Sequence, residues 1–183
     1  MSQKERFYAD IMAMHSEVTG SCNLVIVKLP NKEVIRFVVD CGLFQEEENR
    51  ELNKVLPFNP KNIDFCLVTH NHVDHSARLP LLYKKGFNGK VYTSKQTKIL
   101  LPLALRDTCK ILKETCKRKH INPLYGENDV EKTIANTIGV DFKSKTPKIM
   151  LSSVSNRVND IIIGSSYNPA APEICLNIFV MKT

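Results

Sequence analysis

The most informative motif of this chain is Thr69-His70-Asn71-His72-Val73-Asp74-His75 (THNHVDH). Three of the chain's five histidines and one aspartate fall between positions 70 and 75. Imidazole and carboxylate groups are the ligands of catalytic zinc sites, in which three protein groups leave one position open for water. A single buried histidine is usually a hydrogen-bonded core residue, but three histidines and an aspartate at this spacing favour a metal site.

The metal ligands would follow a buried strand. The apolar run Asp64–Thr69 predicts that strand, and alternate residues of a strand project to the same side. His70 and His72 would therefore share one side at the end of the strand. Asp74 and His75, further into a turn, could face a second ion, and two adjacent cations would lower the pKa of a bridging water. The stretch thus predicts two metal positions, with Asp74 also a candidate catalytic residue.

The composition argues against several classes of protein. The chain has 183 residues, of which 43% are hydrophobic and 25% charged, values typical of one globular domain. No apolar run approaches the ~18 residues that cross a bilayer, and the first ten residues contain no apolar signal-peptide core. The six cysteines show neither C-x-x-C spacing nor the pattern of a disulfide framework. Together with the lack of an export signal, this predicts reduced thiols. We therefore expect a cytoplasmic protein that is neither membrane-bound, secreted nor fibrous.

Positive charge is concentrated in one contiguous segment. The segment Arg78–Lys119 holds 12 basic residues and two acidic ones, whereas the remainder of the chain holds 14 basic and 17 acidic residues. A basic segment attracts polyanions, because each phosphate that it neutralises releases counterions. A solvated basic helix face is the alternative. Position in the sequence alone does not choose between them.

Strands and helices alternate through residue 142. Short apolar runs predict strands at Ile11–His15, Asn23–Lys28, Val34–Asp40, Asp64–Thr69 and Lys90–Thr93. Helical spacing and capping residues predict helices at Ser76–Lys85, from Ser94 to Lys119, and from Asn128 to about Ile138. This alternation predicts an α/β layered domain. Beyond it, residues 149–154, 161–164 and 174–181 could form strands, with no helical pattern between them.

The same residues resemble a known family. THNHVDH is similar to the H-x-H-x-D-H signature of the metallo-β-lactamase fold, and the chain resembles its β-CASP branch, whose members cut or trim RNA. The supporting segments are EVTGSC (17–22), VDCGLFQ (39–45), SARLPLL (76–82), PLY (123–125) and DVEKT (129–133). The resemblance covers about Met12 to Phe142. It implies the amino-terminal half of an αββα sandwich, a mixed sheet flanked by helices, with the second half absent.

The resemblance also implies roles for individual residues. It implies that His70 and His72 bind one zinc ion and that Asp74 and His75 bind the other. It implies that Asp40 holds the ligand loop in place without binding metal, as a carboxylate that orients imidazoles does. Without the family, Asp40 would be interpreted as a turn residue at the end of a strand. The implied reaction is hydrolysis of RNA phosphodiester bonds by zinc-activated water.

Part of the family's ligand set is missing. No histidine follows His120, and Asp160 is the only aspartate after Asp141. This leaves two protein groups for each zinc ion, where a catalytic site ordinarily has three. Three hypotheses stay open: a zinc-dependent hydrolase of RNA, a truncated non-catalytic remnant with a partial metal site, and another hydrolase of the same fold that acts on thioesters or lactams.

The domain organisation follows from the extent of the resemblance. We expect a metallo-β-lactamase-like domain at residues 1–142. Residues 143–183 do not match the family and are expected to be a tail of extra strands or of poor order. The uncovered sheet edges of such an incomplete domain would favour a partner or lower its solubility.

Overall fold

The computed structural model describes residues 8–14, 17–28, 32–140, 148–149, 160–167 and 174–181. One sheet contains six strands, β1 (Tyr8–Ala13), β2 (Asn23–Lys28), β3 (Val34–Val39), β4 (Phe65–Leu67), β5 (Lys90–Ser94) and β6 (Thr137–Val140). A second sheet contains β7 (Lys148–Ile149), β8 (Asp160–Tyr167) and β9 (Ile174–Met181). The helices are α1 (Val73–Ser76), α2 (Leu79–Lys84), α3 (Lys95–Lys119) and α4 (Glu127–Ala135), with 3₁₀ turns at Arg50–Lys54 and Pro60–Asn62.

The six-stranded sheet is mixed, as the family resemblance implies. Its strands lie in sequence order; β1, β2 and β3 pair antiparallel, whereas β3, β4, β5 and β6 pair parallel. Parallel neighbours need crossover connections, and here each connection contains helical structure. Because parallel strands end at the same edge of a sheet, the residues that follow β3 and β4 lie side by side. This topology brings Asp40 next to Thr69 and His70.

Apolar residues on both faces of the six-stranded sheet are buried. On one face, Val38 and Cys66 belong to the same buried cluster as Leu82 of α2 and Leu105 of α3. On the other face, the rings of Phe37 and Phe65 stack at 4.7 Å between centroids, and Tyr92 meets Phe65 edge-on at 6.0 Å. Burial on both faces is typical of the parallel part of an α/β sheet. The predicted α/β architecture is confirmed.

The long helix α3 begins and ends as the sequence predicts. The Ser94 hydroxyl accepts a hydrogen bond from the Thr97 N–H at 2.9 Å, which caps the first turn. Leu101 and Leu105, four residues apart, are buried against the core. The helix ends before His120, whose φ of 53° lies in the left-handed region that terminates helices. In the described part of the chain, no helix is long and apolar enough to span a bilayer.

Two predicted helices differ from those observed. The predicted helix at 76–85 is observed as the shorter α2, which begins at Leu79, whereas Ser76 is the last residue of α1. Pro80 lies in the first turn of α2, and its ring would clash with the preceding turn if the helix extended back to Ser76. Helix α4 begins at Glu127, before the predicted cap at 128, because the Asp129 carboxylate accepts the Gly126 N–H at 2.9 Å. It ends at Ala135 because the next residues pair with β5 as strand β6.

The strands after residue 142 form their own antiparallel sheet. β8 and β9 pair along their whole length, from Asp160 opposite Met181 to Tyr167 opposite Ile174, and β7 pairs with β8. These strands overlap all three runs predicted there, although residues 150–154 lie outside the described residues. The division into a domain at 1–142 and a tail at 143–183 stays a prediction.

Two leucines of α3 test where the core lies. Leu105 is 0% exposed, whereas Leu103 on the outer face of the same helix is 73% exposed. Leu105→Ala is expected to lower the free energy of unfolding by about 2–5 kcal/mol, because it leaves a cavity in the core. Leu103→Ala, the same substitution two residues away, should cost less than about 0.5 kcal/mol. Urea unfolding measures both, and equal losses would contradict this orientation of α3.

Candidate metal centre

The four predicted metal ligands lie together at the edge of the sheet that follows β4. His70 lies in the loop after the strand, His72 immediately precedes α1, and Asp74 and His75 lie within α1. The ring centroid of His70 is 4.4 Å from that of His72 and 4.1 Å from that of His75. The Asp74 carboxylate lies 3.7 Å from Nε2 of His75. The loop therefore gathers the three imidazoles and the carboxylate on one side.

This donor set fits a metal ion in its chemistry but is incomplete in number. Imidazole nitrogen and carboxylate oxygen suit zinc and related divalent ions. Within the ranges that the structure describes, no three His, Cys, Asp or Glu side chains form a group that could hold an ion. The four side chains are instead neighbours in a row, in which His72 contacts His70, His70 contacts His75 and His75 faces Asp74.

Asp40 connects the ligand loop to the end of β3. Its side chain is almost wholly buried, and its carboxylate accepts hydrogen bonds from three donor groups. The donors are the Thr69 N–H (2.9 Å), the Thr69 hydroxyl (2.9 and 3.0 Å to the two oxygens) and Nδ1 of His75 (2.9 Å). The backbone of Asp40 has a φ of 61°, in the left-handed region that aspartate tolerates better than most residues. The chain turns there from β3 toward the loop.

The environment shifts the pKa of two of the histidines in opposite directions. The hydrogen bond to Asp40 raises the pKa of His75. Partial burial lowers the pKa of His70, and the neighbouring charges of His75 and His72 lower it further. A depressed pKa keeps His70 neutral at neutral pH, which is the state that binds metal. Because Nδ1 of His75 donates to Asp40, its Nε2 is left to face Asp74.

The backbone of the segment 21–43 holds α1 in place. Three hydrogen bonds join them: Cys41 N–H to the His75 carbonyl (2.7 Å), Leu43 N–H to the Val73 carbonyl (3.0 Å) and Ser21 N–H to the Asp74 carbonyl (2.8 Å). Gly42 lies so close to α1 that a Cβ on it would be 1.7 Å from the Asp74 carbonyl oxygen. Only glycine fits there. The ligand helix is thus fixed by main-chain contacts with two other loops.

Arg78 corrects the prediction for the basic segment. Its side chain is 0% exposed, so it does not face solvent or a nucleic acid. Its Nε donates to the Gly42 carbonyl, Nη1 donates to the carbonyls of Leu52 and Val55 at 3.2 Å, and the guanidinium lies 4.9 Å from the Phe44 ring centroid. Arg78 supports the loop behind the ligand helix, because backbone carbonyls accept hydrogen bonds from its Nε and Nη1. Its buried Nη2 has no hydrogen-bond partner among the described residues. Arg78 therefore belongs to neither of the two alternatives for the basic segment, a polyanion site or a solvated helix face.

Comparison with known sequences identifies the family. Residues 18–140, about two thirds of the chain, match the Metallo-beta-lactamase superfamily. The chain belongs to this superfamily. The matched range contains both sheet strands that flank the loop, the loop itself and Asp40. Metallo-beta-lactamase proteins generally use metal ions, which agrees with the donor chemistry of this loop.

The chain is similar to a ribonuclease, a cleavage and polyadenylation factor subunit and a transcription termination factor. Ribonuclease TTHA0252 of Thermus thermophilus is 35% identical over 126 residues, 69% of this chain and 26% of the relative. Cleavage and polyadenylation specificity factor subunit 3-I of Arabidopsis thaliana is 33% identical over 132 residues, 69% of this chain and 17% of the relative. Transcription termination factor FttA of Methanococcus maripaludis is 33% identical over 113 residues, 58% of this chain and 17% of the relative. The resemblance to the β-CASP branch is confirmed, and the chain spans about a quarter or less of these relatives.

Sequence reasoning missed three residues that this metallo-beta-lactamase centre uses. From the sequence, Thr69 is predicted to end a strand, and Ser21 and Gly42 stand out only as members of the segments that resemble the family. The structure places Ser21 and Gly42 against the backbone of α1 and Thr69 between Asp40 and His70. The sequence indicates a role for these residues only through the segments EVTGSC, VDCGLFQ and THNHVDH, and these segments do not show what each residue contacts.

Gly42 provides a test of the scaffold behind the metal loop. Gly42→Ala is expected to lower the free energy of unfolding by about 3 kcal/mol or more, because its Cβ would overlap the Asp74 backbone. Gly126→Ala is the matched control, since the nearest atom to its Cβ would be 3.9 Å away and the loss of a glycine cap costs about 1 kcal/mol or less. Thermal and urea unfolding compare the two variants. A Gly42→Ala protein as stable as the control would refute the close approach.

Proposed function

We propose that this chain carries the metal-binding part of a zinc-dependent hydrolase that cleaves RNA phosphodiester bonds. The observation that carries the proposal is the cluster of His70, His72, Asp74 and His75, joined through Asp40 to the neighbouring strand. The relatives support the choice of substrate, because one is named a ribonuclease and another a cleavage and polyadenylation factor subunit. Because the chain spans about a quarter or less of these relatives, its ribonuclease activity is a proposal.

The residues of the loop have distinct proposed tasks. His70 and His72 would hold one zinc ion, and Asp74 and His75 the other. An ion held there would supply a Lewis acid and lower the pKa of a bound water. Asp74, whose side chain is 24% exposed, would also act as a catalytic carboxylate because it can accept a proton at the surface of the site. Asp40 would orient the imidazoles without touching substrate.

The exposed lysines of α3 would hold the RNA backbone. The helix starts directly after β5, at the same edge of the sheet as the metal loop, and Lys98, Lys110 and Lys117 are exposed along it. Lysines at such positions attract phosphates by releasing counterions. Arg106 and Lys113 contribute less, because they form ion pairs with Glu131 and Glu127 of α4.

A cytoplasmic location of the protein stays a prediction, as does the domain boundary at residue 142.

One observation favours a second candidate function. Because no three suitable side chains of the described ranges converge on one point, the chain could retain a partial metal site without catalysis. Zinc content separates the two proposals. A stoichiometry well below one ion per chain, with no cleavage of RNA, would favour the non-catalytic remnant. Hydrolysis of a neutral thioester or lactam with no effect on RNA would favour the third hypothesis.

Histidine substitutions test the proposed ribonuclease. With saturating zinc, the 183-residue chain is expected to cleave a fluorescent single-stranded RNA, and His72→Asn should lower the rate by at least about 100-fold because a metal ligand is lost. Asparagine is a favoured residue at the start of a helix, so α1 should persist in this variant. Circular dichroism checks the fold, and chelation should stop cleavage.

His120→Asn is the matched control for that substitution. His120 lies exposed at the other end of α3 and has a left-handed backbone that asparagine adopts readily. Its cleavage rate should equal that of the unmodified chain. If both variants lost activity equally, or if neither did, the assignment of the metal loop as the site of cleavage would be wrong.

A further inference from the structure

We infer that Thr69 is a positioning residue of the metal centre. Its hydroxyl donates a hydrogen bond to Asp40 and accepts one from His70. In this way it determines which ring nitrogen of His70 carries the proton. The inference rests on the proposed function in one respect, that His70 binds a metal ion. The hydrogen bonds that carry it are properties of the loop itself.

The Thr69 side chain lies between a carboxylate and an imidazole. Its Oγ1 is 2.9 Å from Oδ2 and 3.0 Å from Oδ1 of Asp40, and 3.0 Å from Nδ1 of His70. The Thr69 N–H also donates to Oδ1 of Asp40 at 2.9 Å. These distances are those of ordinary hydrogen bonds. Thr69 is therefore tied to Asp40 by main chain and side chain, with its hydroxyl oxygen presented to His70.

The direction of these hydrogen bonds follows from the number of protons. A hydroxyl has one proton to donate, and an ionised carboxylate can only accept. If the Thr69 proton pointed at His70, the hydroxyl oxygen would face two carboxylate oxygens at 2.9–3.0 Å with no proton between them. A hydrogen bond to a charged acceptor is also the stronger one. The hydroxyl therefore donates to Asp40, and Nδ1 of His70 must be the donor to the hydroxyl.

This arrangement exposes the same nitrogen on two ligands. A neutral imidazole with its proton on Nδ1 has its lone pair on Nε2, the atom then free for metal. His75 reaches that tautomer directly, because its Nδ1 lies 2.9 Å from Oδ2 of Asp40. His70 reaches it through Thr69. The Asp40 carboxylate thus fixes the tautomer of both histidines. Thr69 is required for His70, because the ring of His70 forms its hydrogen bond with the Thr69 hydroxyl and not with Asp40.

The tautomer of His70 can be measured without metal or substrate. The chain is labelled with ¹⁵N-histidine and stripped of metal with a chelator. Long-range ¹H–¹⁵N correlation spectra are then recorded about two pH units above the ordinary histidine pKa of ~6.5. His70→Gln and His75→Gln assign the two signals. In the unmodified chain, both residues are expected to carry the proton on Nδ1, and a His70 with the proton on Nε2 would overturn the inference without any Thr69 variant.

Two Thr69 variants separate the hydroxyl from the shape of the side chain. Thr69→Val has the same shape without the hydroxyl, so His70 is expected to shift toward the mixture of tautomers of an unconstrained imidazole while His75 stays unchanged. Thr69→Ser keeps the hydroxyl and should restore the signal of the unmodified chain. A Val variant with an unchanged His70, or a Ser variant that behaves like Val, would overturn the inference.

Zinc affinity gives a second readout of the same variants. Loss of a group that orients a ligand typically costs about 10–100-fold in metal affinity, so Thr69→Val should bind zinc that much more weakly than Thr69→Ser in a chelator competition. Equal affinities of the two variants in a chain that binds zinc would count against the role of Thr69. If the unmodified chain bound no zinc, the proposed function would fail, while the tautomer of His70 would still decide the hydrogen-bond relay.

Discussion

The site depends on one buried charge, the carboxylate of Asp40. A carboxylate removed from water costs free energy unless hydrogen-bond donors replace the lost hydration. Here the donors come from Thr69, through both its backbone and its hydroxyl, and from the ring of His75. Each donor belongs to the segment that carries the proposed ligands. Satisfying Asp40 therefore folds the loop, and the position of the histidines is a consequence of satisfying this charge.

The topology of the sheet makes that interaction possible. Strands β3 and β4 are parallel neighbours, so Asp40 and Thr69 leave the sheet at the same edge, although they are 29 positions apart. The loop that follows supplies all four proposed ligands from one continuous stretch. It gathers them without completing a group of three within the part of the chain described by the structure. The loop is held by Asp40 and by the backbone around Gly42.

The number of basic residues in the segment Arg78–Lys119 overstates the positive charge that this segment presents at the surface. Arg78 opens the basic segment but is buried, where backbone carbonyls and the Phe44 ring surround its guanidinium. Further along, Arg106 is paired with Glu131 of α4. The net charge that a polyanion would meet is therefore smaller than the residue count suggests, and it is concentrated on the outer lysines of α3. This distinction limits what composition alone says about nucleic-acid binding.

Most of the secondary structure elements and the choice of the proposed ligands follow from local patterns in the sequence. Strand β2, helix α3 and the contiguous run of histidines were predictable, because periodicity, capping and ligand spacing involve residues close together along the chain. Tertiary packing, by contrast, places Gly42 against the ligand helix, joins Ser21 to the backbone of that helix and buries Arg78. These contacts join residues that are far apart along the chain, as the 36 positions between Arg78 and Gly42 illustrate. Which residues meet at such separations is decided by strand order and close packing of the whole domain, and no local pattern encodes it.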